Sequence, residues 1–252
     1  MSKLLKVMLG IGLLGYFCFL VVVRTPATLV TANIAKQVPM IELAVISGTA
    51  WNGRAGAAHL NIQGQVIDLG ALSWTFKPLS LLSLNACVDL ASDILNGNVC
   101  RSVTGINSFT NLQVELPASL ANDRLPDAKL AGMGSLMIAK GSVNDRGEVS
   151  ALEGNLTWRG ARLNVQGMWF TLGDFAADLA AGENGAIRAN IFDLAGPFGV
   201  NLDGQVGIAT PPTVRGEILP REGAPDDIRD ALGLFAVPQD NGAFAVSYPI
   251  GS

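Results

Sequence analysis

The sequence predicts a mainly β protein: a single N-terminal transmembrane helix followed by an extended antiparallel β-meander with repeated hairpins and two short helices. Three observations carry that prediction. Residues 7–23 form an unbroken apolar run, the chain as a whole is rich in glycine (29 residues) and poor in charge (15%), and one hairpin sequence recurs along it.

The apolar run, VMLGIGLLGYFCFLVVV, is flanked by Lys3 and Lys6 on one side and Arg24 on the other. Seventeen residues at about 1.5 Å each reach about 26 Å, close to a hydrocarbon layer of about 30 Å once the flanking cations snorkel. A cleaved signal peptide is the competing reading, because the head is basic and Val30-Thr31-Ala32 has small residues where a peptidase could cut. The run is longer than the usual signal core, and that alanine lies well beyond Val23, so a retained anchor is the expectation. Lys3 and Lys6 place a cytoplasmic head at 1–6, a transmembrane helix at 7–23 and everything after Arg24 on the opposite side.

Residues 24–40 read as a juxtamembrane helix or stalk. Thr25 is a natural N-cap, Pro26 suits the first helical position, Leu29, Val30, Ile34 and Val38 recur at helical spacing, and Pro39 ends the pattern. From Ile41 to the C-terminus the texture is β, giving one β-domain over 41–252. Strands are expected at 42–46, 56–63, 65–74, 84–90, 112–116, 134–143, 148–158, 161–172, 175–180, 186–192, 198–208, 214–218 and 243–248. Turn signals such as Asn52-Gly53, Arg159-Gly160 and Asp240-Asn241-Gly242 separate them at intervals of about ten residues, which leaves no room for crossover helices. Two segments depart from the pattern. Pro78–Leu84 (PLSLLSL) reads as a helical turn covering one end of the sheet, and Ala224-Pro225-Asp226-Asp227 opens a helix whose apolar face is Ile228, Ala231, Leu232 and Phe235.

The repeat is specific. Asn61-Ile62-Gln63-Gly64 followed by Leu69-Gly70 matches Asn164-Val165-Gln166-Gly167 followed by Leu172-Gly173, and each copy is preceded by Trp-x-Gly, at Trp51 and Trp158. Val200-Asn201-Leu202-Asp203-Gly204-Gln205-Val206 is a fainter third copy. One hairpin used two or three times suits a meander whose members touch chiefly their neighbours.

Little in the chain points to catalysis. The single histidine, His59, lies in an alternating segment and reads as a half-exposed strand residue. Gly-x-Ser-x-Gly, phosphate-binding glycine loops and metal-ligand clusters are absent from the sequence, so no enzyme activity, cofactor or metal is expected. A net charge of −4 without a basic tract argues against nucleic acid. Cys87 and Cys100 flank Asn96-Gly97, which favours a turn, so a disulfide is expected if this part meets an oxidising compartment; two buried thiols are the other reading. Trp51, Trp74, Trp158 and Trp169 either stack on a covered face or line a groove for an apolar ligand.

The ordered set Gly48-Thr49-Ala50-Trp51-Asn52-Gly53, then Trp74-Thr75-Phe76-Lys77-Pro78 with Leu81-Leu82, then the cysteine pair, then Pro220-Arg221 and Asp240-Asn241-Gly242-Ala243-Phe244 resembles the bacterial type II secretion system protein N family over nearly the whole chain. The resemblance marks Gly48, Thr49, Trp51, Gly53, Trp74 and Pro78 as structural motif residues, to which the repeated Trp-x-Gly adds Trp158 and Gly160, and it brings no catalytic residue with it. It implies a bitopic protein of the bacterial cell inner membrane, N-terminus cytoplasmic and C-terminal domain periplasmic, working in protein secretion with other type II secretion system subunits and the lipid bilayer as partners; it leaves the oligomeric state open. A periplasmic lipid-binding or lipid-transfer protein with a curved, apolar-lined sheet is the alternative.

Overall fold

The structure is a computed structural model that describes residues 13, 16–17, 20–21, 23–29, 31, 40–62, 65–125, 128–165, 167–207, 211–224, 226–233 and 236–248. The predicted span at 7–23 falls largely outside these residues, as do residues 30 and 32–39 of the stalk expected at 24–40. Within them, Leu13, Tyr16, Phe17, Leu20, Val21 and Val23 are helical and exposed, and the chain is helical again at Ala27, Thr28, Leu29 and Thr31. Among the described residues no helix is long and apolar enough to cross a membrane.

The chain forms two units, residues 1–93 and 94–252. The first holds β1 (Ile41–Gly48), β2 (Asn52–Ile62), β3 (Gln65–Lys77) and β4 (Asn85–Ala91), each antiparallel to the next. In the second, β5 (Leu95–Ser102), β6 (Asn107–Pro117), β7 (Ala128–Val143), β8 (Val149–Val165), β9 (Met168–Ala181), β10 (Ile187–Ala195), β11 (Phe198–Val206) and β12 (Thr213–Pro220) follow in sequence order. The order then changes, because β14 (Phe244–Tyr248) pairs with β12 and β13 (Val237–Pro238) lies outside it. The meander expected from the short spacing is therefore present in both units.

Several boundaries differ from the sequence reading, for local reasons. Arg159-Gly160 is a bulge inside a seventeen-residue β8 rather than a turn. Gly160 has φ +57° and its N–H donates to Asp174 Oδ1 at 2.6 Å, so the positive φ is absorbed while pairing resumes at Ala161. The reversal comes instead at Gly167, φ +89°. Asn96-Gly97 likewise lies inside β5, at a register shift against β6, rather than at a turn.

The repeat is exact in register. Ile62 pairs with Gln65, Leu60 with Ile67, His59 with Asp68, Ala58 with Gly70 and Ala55 with Leu72; Val165 pairs with Met168, Leu163 with Phe170, Arg162 with Thr171, Ala161 with Gly173 and Trp158 with Phe175. Every pair of the second set carries numbers higher by 103 (Ile62 becomes Val165, Gln65 becomes Met168), both bulges included. This explains the repeated Leu-Gly: Leu69 and Leu172 are the extra residues, and the following Gly70 and Gly173 take φ of +68° and +110°. The alanines opposite, Ala58 and Ala161, are fully buried. The preceding Trp-x-Gly is not equivalent in the two copies, since Trp158 occupies the place of Ala55. Nor is the third copy the same hairpin, because Leu202 and Gln205, the counterparts of Ile62 and Gln65, both lie within β11.

Among the described residues, the side chains with almost no exposure are small: Ala27, Ala55, Ala58, Ala161 and Ala186. Close strand packing, rather than bulky side chains, excludes water there. The second unit adds an apolar cluster in which Phe198, Ala224 and Leu232 are buried, with Leu172, Val200, Ile218 and Phe244 packed around them. Leu232 comes from α1 (Asp226–Leu232), so the expected helix does pack on the sheet.

Candidate functional site

The motif residues of the first unit meet at one end of β2 and β3. Gly48 closes β1 with φ +85°, and a side chain there would collide with the Asn52 carbonyl, so only glycine lets β1 reverse so tightly. Thr49 fixes the reversal: its N–H donates to Asn52 O at 2.8 Å, and Asn52 N–H donates back to Thr49 Oγ1 at 3.1 Å. Trp51 meets Phe76 edge to face, with ring centroids 5.2 Å apart. Trp74 lies across Gly53, its partner on β2, and its indole N–H donates to Ala50 O at 3.2 Å. Gly-Thr-x-Trp-x-Gly and Trp74 thus form one corner, in which a glycine makes room for an indole and a carbonyl satisfies it. Trp51 and Trp74 are half-buried.

The N-terminal segment attaches to this corner. Ala50 N–H donates to Thr25 O at 2.9 Å, Pro26 forms an antiparallel bridge with Thr49, and Ala27 is 1% exposed. Thr25 and Pro26, expected only to open a helix, therefore dock as an extra piece of strand before the helical residues from Ala27 onward. A sequence signal for this contact is missing, since the bonds are made by backbone.

Pro78 begins a 3-10 helix, Pro78–Ser83, that joins β3 to β4 at the same end. It does not cover the sheet as expected, and none of its residues is buried. Leu79, Leu81, Leu82 and Leu84 are 78%, 49%, 84% and 63% exposed. Its polar groups are instead used within the turn: Ser80 Oγ donates to Lys77 O at 2.6 Å and accepts from Cys87 N–H at 3.1 Å, Ser83 Oγ donates to Ser80 O at 2.8 Å, and Leu84 N–H donates to Leu81 O at 3.0 Å. Leu84 adopts the left-handed conformation at the C-cap (φ 58°), a place where glycine or asparagine is usual.

Trp158 and Gly160 make a related arrangement in the second unit. The Trp158 indole N–H donates to Ala131 O at 3.2 Å beside Gly132, and its ring tilts against Phe175 with centroids 6.1 Å apart. Trp169 is half exposed under the Arg162 guanidinium, 5.4 Å from the ring centroid. A third fixed point, legible only in the fold, is Asp193. It takes the Arg221 guanidinium at 2.7 Å and Val200 N–H at 2.8 Å, while Arg221 also donates to Gly196 O at 3.1 Å. Burial pushes the Asp193 carboxyl up, but the Val200 N–H and Arg221 outweigh it and hold the group below the usual carboxylate range.

The remaining sequence candidates sit apart. His59 on β2 faces Asp68 across the hairpin at 3.6 Å, too long for a hydrogen bond, and is half exposed. Cys87 on β4 and Cys100 on β5 are both disulfide-bonded. Depressions of about 360 and 330 Å³ occur on the second unit. Charged residues line both, Arg188, Asp203 and Arg215 in one and Glu153 and Asp178 in the other.

Comparison with known proteins gives a consistent answer. The family of type II secretion system protein N matches residues 39–247. A type II secretion system protein N from Aeromonas hydrophila is 25% identical over 249 residues, covering 94% of each chain. No solved structure matches. The match takes in the docked corner, the leucine turn, both hairpin copies and the Asp193–Arg221 pair, and on that extent the chain belongs to the type II secretion system protein N family.

Proposed function

We propose that this chain is a non-enzymatic inner-membrane component of the type II protein secretion machine, tethering a periplasmic β-domain that contacts other machine subunits. The observation that carries the reading is the family match over residues 39–247, which takes in the β1–β2 corner on which Thr25 and Pro26 dock. In this reading residues 1–6 are the cytoplasmic head, 7–23 the span, 24–40 the periplasmic juxtamembrane segment and 41–252 the periplasmic β-domain. Cys87 pairs with Cys100, which fits an oxidising compartment. The exposed, charge-poor helical residues 13, 16, 17, 20, 21 and 23 support lipid contact, since an apolar stretch of that kind is costly in water.

Deleting the gene tests the role. Secreted substrates should accumulate, folded, in the periplasm, and a plasmid copy should restore their release. Normal secretion by the deletion strain would remove the proposal.

A further inference from the structure

The leucine turn at residues 78–84 is left over by every packing argument above. It exposes four leucines, it holds no charged residue, and its hydroxyls and capping N–H are satisfied within the turn or against β4. Hydroxyls and a cap N–H paired internally reduce what water gains by wetting this surface and what its cover by hydrocarbon would cost. Its place is equally specific. Asn52 pairs with Thr75 and Lys77 with Cys87, so the turn projects from the end of the first unit that carries Thr49 and Ala50. Those two residues hold Pro26 and Thr25, directly after Arg24 and the exposed apolar helical residues Leu13, Tyr16, Phe17, Leu20, Val21 and Val23. Strand spacing of about 4.8 Å puts β1 and β4 roughly 15 Å apart, so both apolar elements leave one end of one small sheet.

We propose that the Pro78–Leu84 turn is a second membrane contact: Leu79, Leu81, Leu82 and Leu84 enter the apolar boundary of the phospholipid leaflet from which the N-terminal segment emerges. The tether then has two points of attachment, which fixes the orientation of the first unit over the bilayer instead of leaving it to swing on a single chain. Leu84 fits this role, since a leucine kept in a left-handed cap costs the fold and repays it only where its side chain is covered. The inference rests on the tether reading.

The test uses the full chain with Cys18→Ser, reconstituted in phosphatidylethanolamine–phosphatidylglycerol vesicles, with Leu82→Cys or Val66→Cys carrying an environment-sensitive NBD label. Val66 is exposed beside the opposite tip of the β2–β3 hairpin. On reconstitution the Leu82 label should shift to the blue, brighten several-fold and be quenched by doxyl groups on the acyl chains, while the Val66 label stays water-like. A chain that floats with the vesicles but reports water at Leu82 overturns the second contact and leaves the tether standing. A chain that does not float overturns both.

Discussion

Trp74 and Gly53 face each other across β3 and β2 so closely that a methyl group on Gly53 would occupy the space of the indole. The Trp74 N–H then reaches Ala50 O at 3.2 Å, beside the bonds that hold Thr25 and Pro26. A packing detail inside the sheet therefore also sets where the N-terminal segment attaches. Gly53→Ala should displace the indole, break that bond and cost about 1–3 kcal/mol. Denaturant unfolding of the detergent-solubilised chain reads the loss, and a midpoint unchanged from wild type would show that the corner adjusts freely.

Gly160 separates two kinds of glycine. No atom lies within 4 Å of a Cβ built there, but its φ is +57°. Gly160→Ala should therefore cost only the conformational penalty, about 1–2 kcal/mol, whereas Asp174→Ala leaves the backbone of Gly160 unchanged and removes the acceptor that takes its N–H at 2.6 Å. The double variant should fall short of the sum in the same unfolding assay, because both changes act on one bulge.

Leu84 gives the opposite sign. With φ 58° and 63% exposure, it loses backbone energy and gains little packing. Leu84→Gly should raise the midpoint in mild detergent by about 1 kcal/mol, while weakening the lipid quenching expected at Leu82.

Acid sensitivity should centre on Asp193. Its folded-state pKa is depressed below an unfolded value of about 3.9. The stabilisation is thus fully present above about pH 4 and is lost as pH falls through the folded value. Asp193→Asn should lower stability at neutral pH by about 1–2 kcal/mol, discounted for the part-exposed arginine, and flatten the decline in melting temperature between about pH 4 and 2. An unchanged acid limb would show that another carboxylate governs it.

The chain holds three cysteines, and Cys87 and Cys100 are oxidised. Denatured, non-reduced protein should accordingly yield a single titratable thiol, at Cys18, and peptide mapping should recover Cys87 joined to Cys100. Reduction should then cost about 3 kcal/mol, the chain-entropy value for so short a loop; recovery of either cysteine in a mixed dimer would redirect the pairing.

Sequence alone determined the strand-rich texture, the antiparallel order, the apolar N-terminal run, the helix at Asp226 and the existence of a repeated hairpin. These follow from local chemistry: turn residues at short intervals, alternation, a dipole-matched helix start. The tertiary structure decided where the repeat truly turns. Gly160 and Gly167 carry the same permission for positive φ, and only pairing partners such as Asp174, Ala161 and Met168 distinguish a bulge from a reversal. It also decided that Thr25 and Pro26 dock on Thr49 and Ala50, because backbone bonds leave no mark on residue identity. Pro78–Leu84 is the clearest case. Its leucines read as cover for the sheet, since composition cannot say on which side a side chain falls; the left-handed cap at Leu84 and the inward hydroxyls of Ser80 and Ser83 turn the leucines out.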